Sequence, residues 1–321
     1  MPQGRPLMTI VIPVFNEEAC LPALFSRLTA LRAQLAGQAD LELLYVDDGS
    51  TDRSPALLAA LAEQHAHVRL ILFSRNFGHQ IAVTAGLDHA RGDWVAVIDA
   101  DLQDPPEALA DMLALALRGH DVVYGQRRSR RGESWFKRAS AAAFYRTLNR
   151  LCEIEIPADT GDFRIMSRRV VDALRGMRER HRFIRGMVPW IGFRSAAFVY
   201  DREQRHAGAT KYPLRKMLRF AANAILSFSA KPLVIATRLG LLVVAAGVAG
   251  GLYLLYLKLF TNETVQGHTS MFLLVVLLGG FQILFVGLLG EYVARIFEEA
   301  KGRPLYIIAE TRNLPVDGEK P

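Results

Sequence analysis

The chain has 321 residues, a formal net charge of +7 and 51% hydrophobic residues, enough for one large domain with appendages or two modest ones. The basic balance suits anionic partners such as phosphates and acidic lipid headgroups; nucleic acid is set aside, because no recognised binding module appears and long apolar spans follow. Cys20 and Cys152 form neither metal-ligand spacing nor a disulfide framework, so a reducing compartment is expected.

Met1 to Leu7 lacks the apolar core of a signal peptide. From Met8 to about Tyr124 short apolar runs alternate with helix-like stretches. Strands are predicted at Thr9–Val14, Leu41–Val46, Val68–Phe73, Trp94–Ile98 and Asp121–Tyr124. Helices are predicted at Glu18–Ala36, Ser54–His65, His79–Ala90 and Pro105–Arg118, where apolar residues recur near every 3.6 positions. Pro105-Pro106-Glu107 reads as a helix opening. This alternation predicts right-handed βαβ units and a mainly parallel sheet. From Gly125 to Tyr200 the pattern turns irregular and basic, with a helix expected from Trp135 to Leu151 and acceptor-side contacts expected throughout.

Beyond Lys211 the character changes. Leu214, Met217, Leu218, Ala221, Ala222, Ile225 and Leu226 share one helical face, as in a helix lying in a membrane interface. Leu239 to Leu257 and Met271 to Gly290 carry no charged side chain, and each approaches the ~20 residues that cross a bilayer. Arg238 precedes the first run, and Arg295, Lys301 and Arg303 follow the second. This asymmetry predicts a multi-pass protein of the inner (cytoplasmic) membrane with both termini cytoplasmic. The tail from Gly302 to Pro321 reads as an extended segment with a loose end. The expected division is 1–205 for the soluble domain, 206–232 for a closing loop and juxtamembrane helix, 233–295 for the hairpin and 296–321 for the tail.

The chemistry concentrates where strands end. Asp99-Ala100-Asp101 closes the run Trp94 to Ile98, and two carboxylates one residue apart can both turn toward a hard divalent cation. The loop from Pro13 to Glu17 closes the first strand, and Asp47-Asp48-Gly49-Ser50-Thr51-Asp52 closes the second. Carboxylates at several strand ends describe a polar crevice on one edge of a parallel sheet, where ligands of open α/β sheets bind. Asp47 to Ser50 also reads as a plain turn before a helix, with Asp52 its cap.

These three motifs resemble those of the inverting family 2 glycosyltransferases. Ser74 to Gln80 and Thr160-Gly161-Asp162-Phe163-Arg164 narrow the likeness to the polyprenyl-phosphate type, which includes bactoprenol glucosyltransferases and dolichyl-phosphate sugar synthases. The resemblance implies a glycosyltransferase A-type α/β domain, then a juxtamembrane helix and two transmembrane helices. It implies that Pro13, Phe15 and Glu17 border the base and ribose, with Ala100 beside them, and that Asp47 or Asp48 hydrogen-bonds the base or ribose. Asp99 and Asp101 become the ligands of Mg²⁺ or Mn²⁺, with Asp101 the preferred direct ligand, and Gln103 contacts the donor sugar or the metal's surroundings. Asp162 belongs at the reacting centre. A phosphate monoester is mostly dianionic at neutral pH, so orienting sugar hydroxyls or stabilising positive charge suits Asp162 better than acting as a base.

A guanidinium fork matches a phosphate, and Arg127 and Arg138 are the acceptor candidates, with Arg130 and Arg131 left as solvated surface. Arg205 to Tyr212 resembles the loop that closes over the diphosphate, giving Arg205 and Lys211 that role. The implied reaction moves one hexose from a nucleotide sugar, glucose from UDP-glucose by the likeness, to a polyprenyl phosphate with inversion. Rival donors carry mannose, an N-acetylhexosamine or an aminoarabinose derivative. A silent nucleotide-sugar-binding scaffold is the rival class, and homo-oligomerisation is left open. Neither a Gln-x-x-Arg-Trp motif of processive synthases nor a Gly-x-x-x-x-Gly-Lys-Ser/Thr loop is present.

Overall fold

The computed structural model describes residues 5–128, 160–201, 231–260 and 267–314. Its first half alternates as the periodicity requires: β1 (Leu7–Val14), α1 (Leu21–Leu35), β2 (Asp40–Asp47), α2 (Ser54–Gln64), β3 (Val68–Phe73), α3 (His79–His89), β4 (Trp94–Val97) and α4 (Ala108–Ala116). α1 shows why. Leu21, Leu24, Leu28, Leu31 and Leu35 recur at helical spacing and are all buried, each worth about 1.5–3 kcal/mol over exposure. Pro105 and Pro106 lie before α4 in a turn closed by Ala108 N to Pro105 O at 3.2 Å. The helix therefore starts later than the prolines suggested.

β5 (Val122–Arg127) runs three residues past its expected end at Tyr124. The stretch read as irregular contains β6 (Thr160–Ser167), α5 (Arg168–Gly176), α6 (Ile184–Ile191) and β7 (Ser195–Tyr200). Asp162 and Arg164 interrupt the apolar run of β6 yet are buried, which hides that strand from a hydropathy reading. The expected helix from Trp135 to Leu151 and the amphipathic stretch from Leu214 to Leu226 lie outside the described residues.

The strand order is β7-β5-β6-β4-β1-β2-β3-β8. β1 pairs in parallel with β2 and β4, β2 with β3, and β5 with β7. β1 is nearly all buried, as a central parallel strand covered on both faces must be. β6 runs antiparallel to β4 and β5. That reversal brings its first residues, Thr160 to Asp162, to the edge where β4 and β5 end.

The described strands and α1 to α6 form one compact unit, and a second unit holds α7 (Lys231–Phe260) and α8 (His268–Ala300). Leu233–Gly250 in α7 and Leu278–Ala300 in α8 are long and apolar enough to cross a membrane. After α8 the tail supplies β8 (Ile308–Arg312), which pairs antiparallel with β3. The tail is thus an edge strand of the first unit, fastened by Asn313 Nδ2, which donates to Ala62 O at 2.6 Å and Val68 O at 2.8 Å. Tyr306 stacks on Phe73 with ring centres 5.3 Å apart and donates to Asp88 Oδ2 at 3.0 Å.

Candidate active site

The carboxyl ends of β1 to β4 enclose a cavity of about 270 Å³. Pro13, Phe15 and Glu17 line it from the first strand end, and Asp48 from the second. Asn76, Gly78 and His79 follow β3, and Asp99, Ala100 and Asp101 follow β4. The chain steps outward from β1 to β3 and then returns to place β4 on the other side of β1. Such a reversal opens a crevice at the strand ends.

Tight turns aim these groups. Asp48 accepts hydrogen bonds from Phe77 N at 2.6 Å and Gly78 N at 2.9 Å, and so holds the β3–α3 loop against the cavity. Gly49 has φ +70°, and a Cβ there would sit 2.4 Å from the Arg75 carbonyl carbon; only glycine allows the two loops to cross so closely. Asp47 accepts from Ser50 N at 2.9 Å and does not line the cavity. Of the acidic pair, Asp48 faces the site and Asp47 builds the turn. Asp52 accepts from Ser54 N at 2.9 Å and from Glu18 N at 3.1 Å. The cap position of α2 falls on Arg53, which makes no side-chain cap bond, so Asp52 ties the loop to the first-strand turn from one residue ahead of its expected place.

After β4 the loop turns through Leu102, whose φ of +60° is a costly left-handed conformation for a bulky side chain. Asp101 lines the cavity and accepts from Gln103 N at 3.2 Å, whereas Gln103 itself is not among the lining residues. Asp99 Oδ1 is buried and, among the described residues, receives no hydrogen bond; His79 Nε2 lies 3.6 Å away. Burial pushes the Asp99 carboxyl up to about 6, against the pull of His79 and with Asp162 adding to the rise. An orphaned carboxylate oxygen beside a second carboxylate fits a divalent cation. Among the described residues no three His, Cys, Asp or Glu side chains form a metal cage. A carboxylate pair is the donor set of Mg²⁺, which completes its shell with water and phosphate oxygens.

Asp162 is the most heavily bonded side chain of the site. His79 Nε2 at 3.0 Å, Gln80 Nε2 at 3.1 Å, and Arg185 Nε and Nη2 at 2.9 and 3.0 Å all donate to its carboxylate. Gln80 also accepts from Ile184 N at 3.0 Å, which fixes the start of α6 beside it. Burial alone would raise the Asp162 carboxyl, but the Arg185 guanidinium and then His79 outweigh it and hold the carboxyl well below the usual range. His79 is pushed up to about 9; burial opposes the rise, and Asp162 and Asp99 carry it. One imidazole thus bridges the carboxylate of the cavity and that of β6.

Residues 9–175, more than half of the chain, match the family described as glycosyl transferase family 2. The chain belongs to the family 2 glycosyltransferases. It is 46% identical to an uncharacterized glycosyltransferase of Bacillus subtilis (strain 168) over 306 residues, 95% of this chain and 94% of that one. It is 36% identical to a prophage bactoprenol glucosyl transferase homolog of Escherichia coli (strain K12), covering 95% of this chain and 99% of that one. The SfII prophage-derived bactoprenol glucosyl transferase of Shigella flexneri is also 36% identical, covering 95% and 98%. The mainly parallel sheet followed by apolar helices is the α/β, glycosyltransferase A-type architecture expected from the motifs.

In this glycosyltransferase Arg127 ends β5, where its Nε donates to the Tyr200 hydroxyl at 3.4 Å and its Nη2 lies 3.8 Å from Asp104 Oδ1. Arg138, Arg205 and Lys211 lie outside the described residues. The sequence reading assigned no role to His79, Gln80 or Arg185. His79 and Gln80 stood inside a quoted motif, and a polar pair opening a helix beside a strand end was the available signal. Arg185 gave none, because only the fold brings α6 to β6.

Proposed function

We propose that this enzyme transfers a single hexose, glucose from UDP-glucose, to the phosphate of a polyprenyl phosphate with inversion at the anomeric carbon. The observation that carries the reading is the His79 bridge, 3.6 Å from Asp99 and 3.0 Å from Asp162. It joins the donor cavity to the residue proposed for the reacting centre. Of two relatives 36% identical along nearly the whole chain, one is named a bactoprenol glucosyl transferase and the other a homolog of one, which supports glucose and a prenol-linked acceptor.

On this reading Pro13, Phe15, Glu17 and Asp48 receive the nucleoside, and Asp99 and Asp101 hold Mg²⁺ or Mn²⁺. When bound, the cation neutralises charge on the departing diphosphate. Arg127 receives the acceptor phosphate, whose oxygen attacks the anomeric carbon as the bond to the diphosphate breaks. Asp162, held ionised by Arg185 and His79, stabilises positive charge developing on the sugar.

The membrane placement is supported by two helical segments, Leu233–Gly250 and Leu278–Ala300, long and apolar enough to cross a bilayer, and by Arg238, Arg295, Lys301 and Arg303 at their flanks, which favour a cytoplasmic side for both chain ends. An anchored enzyme meets a lipid-borne phosphate at a raised effective concentration.

The test is the purified full-length enzyme incubated with undecaprenyl phosphate and radiolabelled UDP-glucose, UDP-N-acetylglucosamine or GDP-mannose, with and without EDTA. Label entering the lipid phase from UDP-glucose alone, and only without EDTA, is the expected result. Label from a different donor renames the sugar, and none from any donor refutes the reaction.

A further inference from the structure

We propose that Asp104 and Tyr200 are positioning residues that fix the Arg127 guanidinium over the start of β6 to receive the acceptor phosphate, an inference that rests on the lipid-phosphate reading above. Asp104 is fully buried, and a buried carboxylate is costly unless charge and hydrogen bonds compensate it. The compensation comes from two strands distant in sequence. The Tyr200 hydroxyl donates to Asp104 Oδ1 and accepts from Arg127 Nε at 3.4 Å. The hydroxyl is thus a relay with a defined direction, from guanidinium through phenol to carboxylate. Burial, with the Asp104 carboxylate adding, raises the Tyr200 phenol, so the relay keeps its proton at neutral pH.

The rest of the surroundings leave the arginine little choice of place. Arg127 and Tyr200 are register partners in the β5–β7 pair. The Tyr200 ring packs edge-on against Phe163 with centres 5.3 Å apart, and a Cβ at Gly125 would meet both rings, at 2.6 and 2.8 Å. The guanidinium crosses directly over Gly161, where a Cβ would lie 2.9 Å from Nη2. Successive side chains of a strand face opposite sides, so the guanidinium lies over the start of β6 on the face that carries Phe163, while the Asp162 carboxylate leaves the same strand on the other face toward His79 and Arg185.

Distances separate this role from simple neutralisation of Asp104. Arg127 Nη2 stands 3.8 Å from Asp104 Oδ1, beyond hydrogen-bond length. Among the described residues Arg127 donates only through Nε. Both Nη groups are therefore left for a ligand, and 17% of the side chain remains exposed while Asp104 has none. One end of the guanidinium is anchored and the other is presented, as bidentate phosphate recognition needs. Asp104 also follows Asp101 in the loop that turns through Leu102, so the loop carrying the cavity carboxylates aims the acceptor's arginine as well.

The test is steady-state kinetics of the full-length enzyme in detergent, titrating undecaprenyl phosphate at saturating UDP-glucose and the converse. Tyr200→Phe keeps the ring and removes only the relay. It should raise the acceptor KM about tenfold, as losing a hydrogen bond to a charged group does, with donor KM unchanged. Gly161→Ala leaves Asp104 and Tyr200 in place and displaces the guanidinium, and should give the same acceptor-specific rise. Asp104→Asn should follow in the same direction. A Tyr200→Phe enzyme with unchanged acceptor KM overturns the proposal, as do donor and acceptor KM rising together in Tyr200→Phe and Gly161→Ala. Failure of the parent enzyme to label the lipid refutes the underlying reaction instead, and removes this proposal with it.

Discussion

Arg185 is the residue whose loss should tell most about Asp162. Its Nε and Nη2 donate to a carboxylate that is 2% exposed. Arg185→Gln removes both the charge and the fork. Breaking a buried ion pair from one side costs about 3–5 kcal/mol when nothing compensates. Here His79 and Gln80 still donate to Asp162, and Arg185 keeps 32% of its side chain in solvent. A loss of about 2–3 kcal/mol is the expectation. At roughly 2–4 °C per kcal/mol for a domain of this size, the thermal midpoint should fall by about 4–12 °C.

The pH dependence supplies a sign. Asp162 has a depressed folded-state pKa, so its contribution is present above the unfolded value of about 3.9 and is lost as pH falls through the lower folded value. Arg185→Gln leaves burial to push that carboxyl upward. The deficit of the variant is then full at pH 7 and narrows in acid, where Asp162 protonates. Unfolding followed by intrinsic fluorescence in detergent, at pH 7 and about pH 4, measures both. An unchanged midpoint at pH 7, or a deficit that widens in acid, refutes the reasoning.

Three further outcomes are expected. Asp101→Asn should lower turnover with UDP-glucose at least about 100-fold, and EDTA should abolish parent activity until Mg²⁺ or Mn²⁺ is returned; full activity in either case refutes the cation role. Gly49→Ala, whose Cβ would lie 2.4 Å from Arg75 backbone at φ +70°, should cost more than about 1 kcal/mol and raise donor KM, measured by thermal unfolding and donor titration. Asn313→Ala removes the donor to Ala62 O and Val68 O and should lower the midpoint by the equivalent of about 1–2 kcal/mol without moving acceptor KM.

The first half of the fold was legible because its signals are local. Leu21 to Leu35 repeat at helical spacing, and the strand-end carboxylates at Asp48, Asp99 and Asp101 stand beside unbroken apolar runs. β6 was hidden because Asp162 and Arg164 occupy interior positions that a hydropathy reading assigns to solvent. β8 was hidden because a five-residue polar segment, Ile308–Arg312, becomes a strand only when β3 offers it an edge. Arg185 and the Asp104–Tyr200–Arg127 cluster depend on sheet order, which pairs residues 73 positions apart at Arg127 and Tyr200; no spacing rule within one chain segment reaches that far.

The geometry around Asp162 bears on what its carboxylate does in the reaction. A carboxylate offers about four lone-pair sites, and four donated bonds from His79, Gln80 and Arg185 reach this one. Its pKa lies well below the usual range, whereas an efficient general base is poised near the working pH. The acceptor asks for no base, since a phosphate monoester at neutral pH already carries the attacking oxygen as an anion. What remains useful is a negative charge that does not move. On the reading proposed above it stands beside a sugar whose anomeric carbon gains positive character and acts by electrostatic preorganisation, the donors around it keeping it from being reoriented or protonated as the charge develops. Asp162→Asn should therefore lower kcat while leaving the acidic limb of the pH–rate profile in place. A loss of that limb would mean that Asp162 does take up the proton.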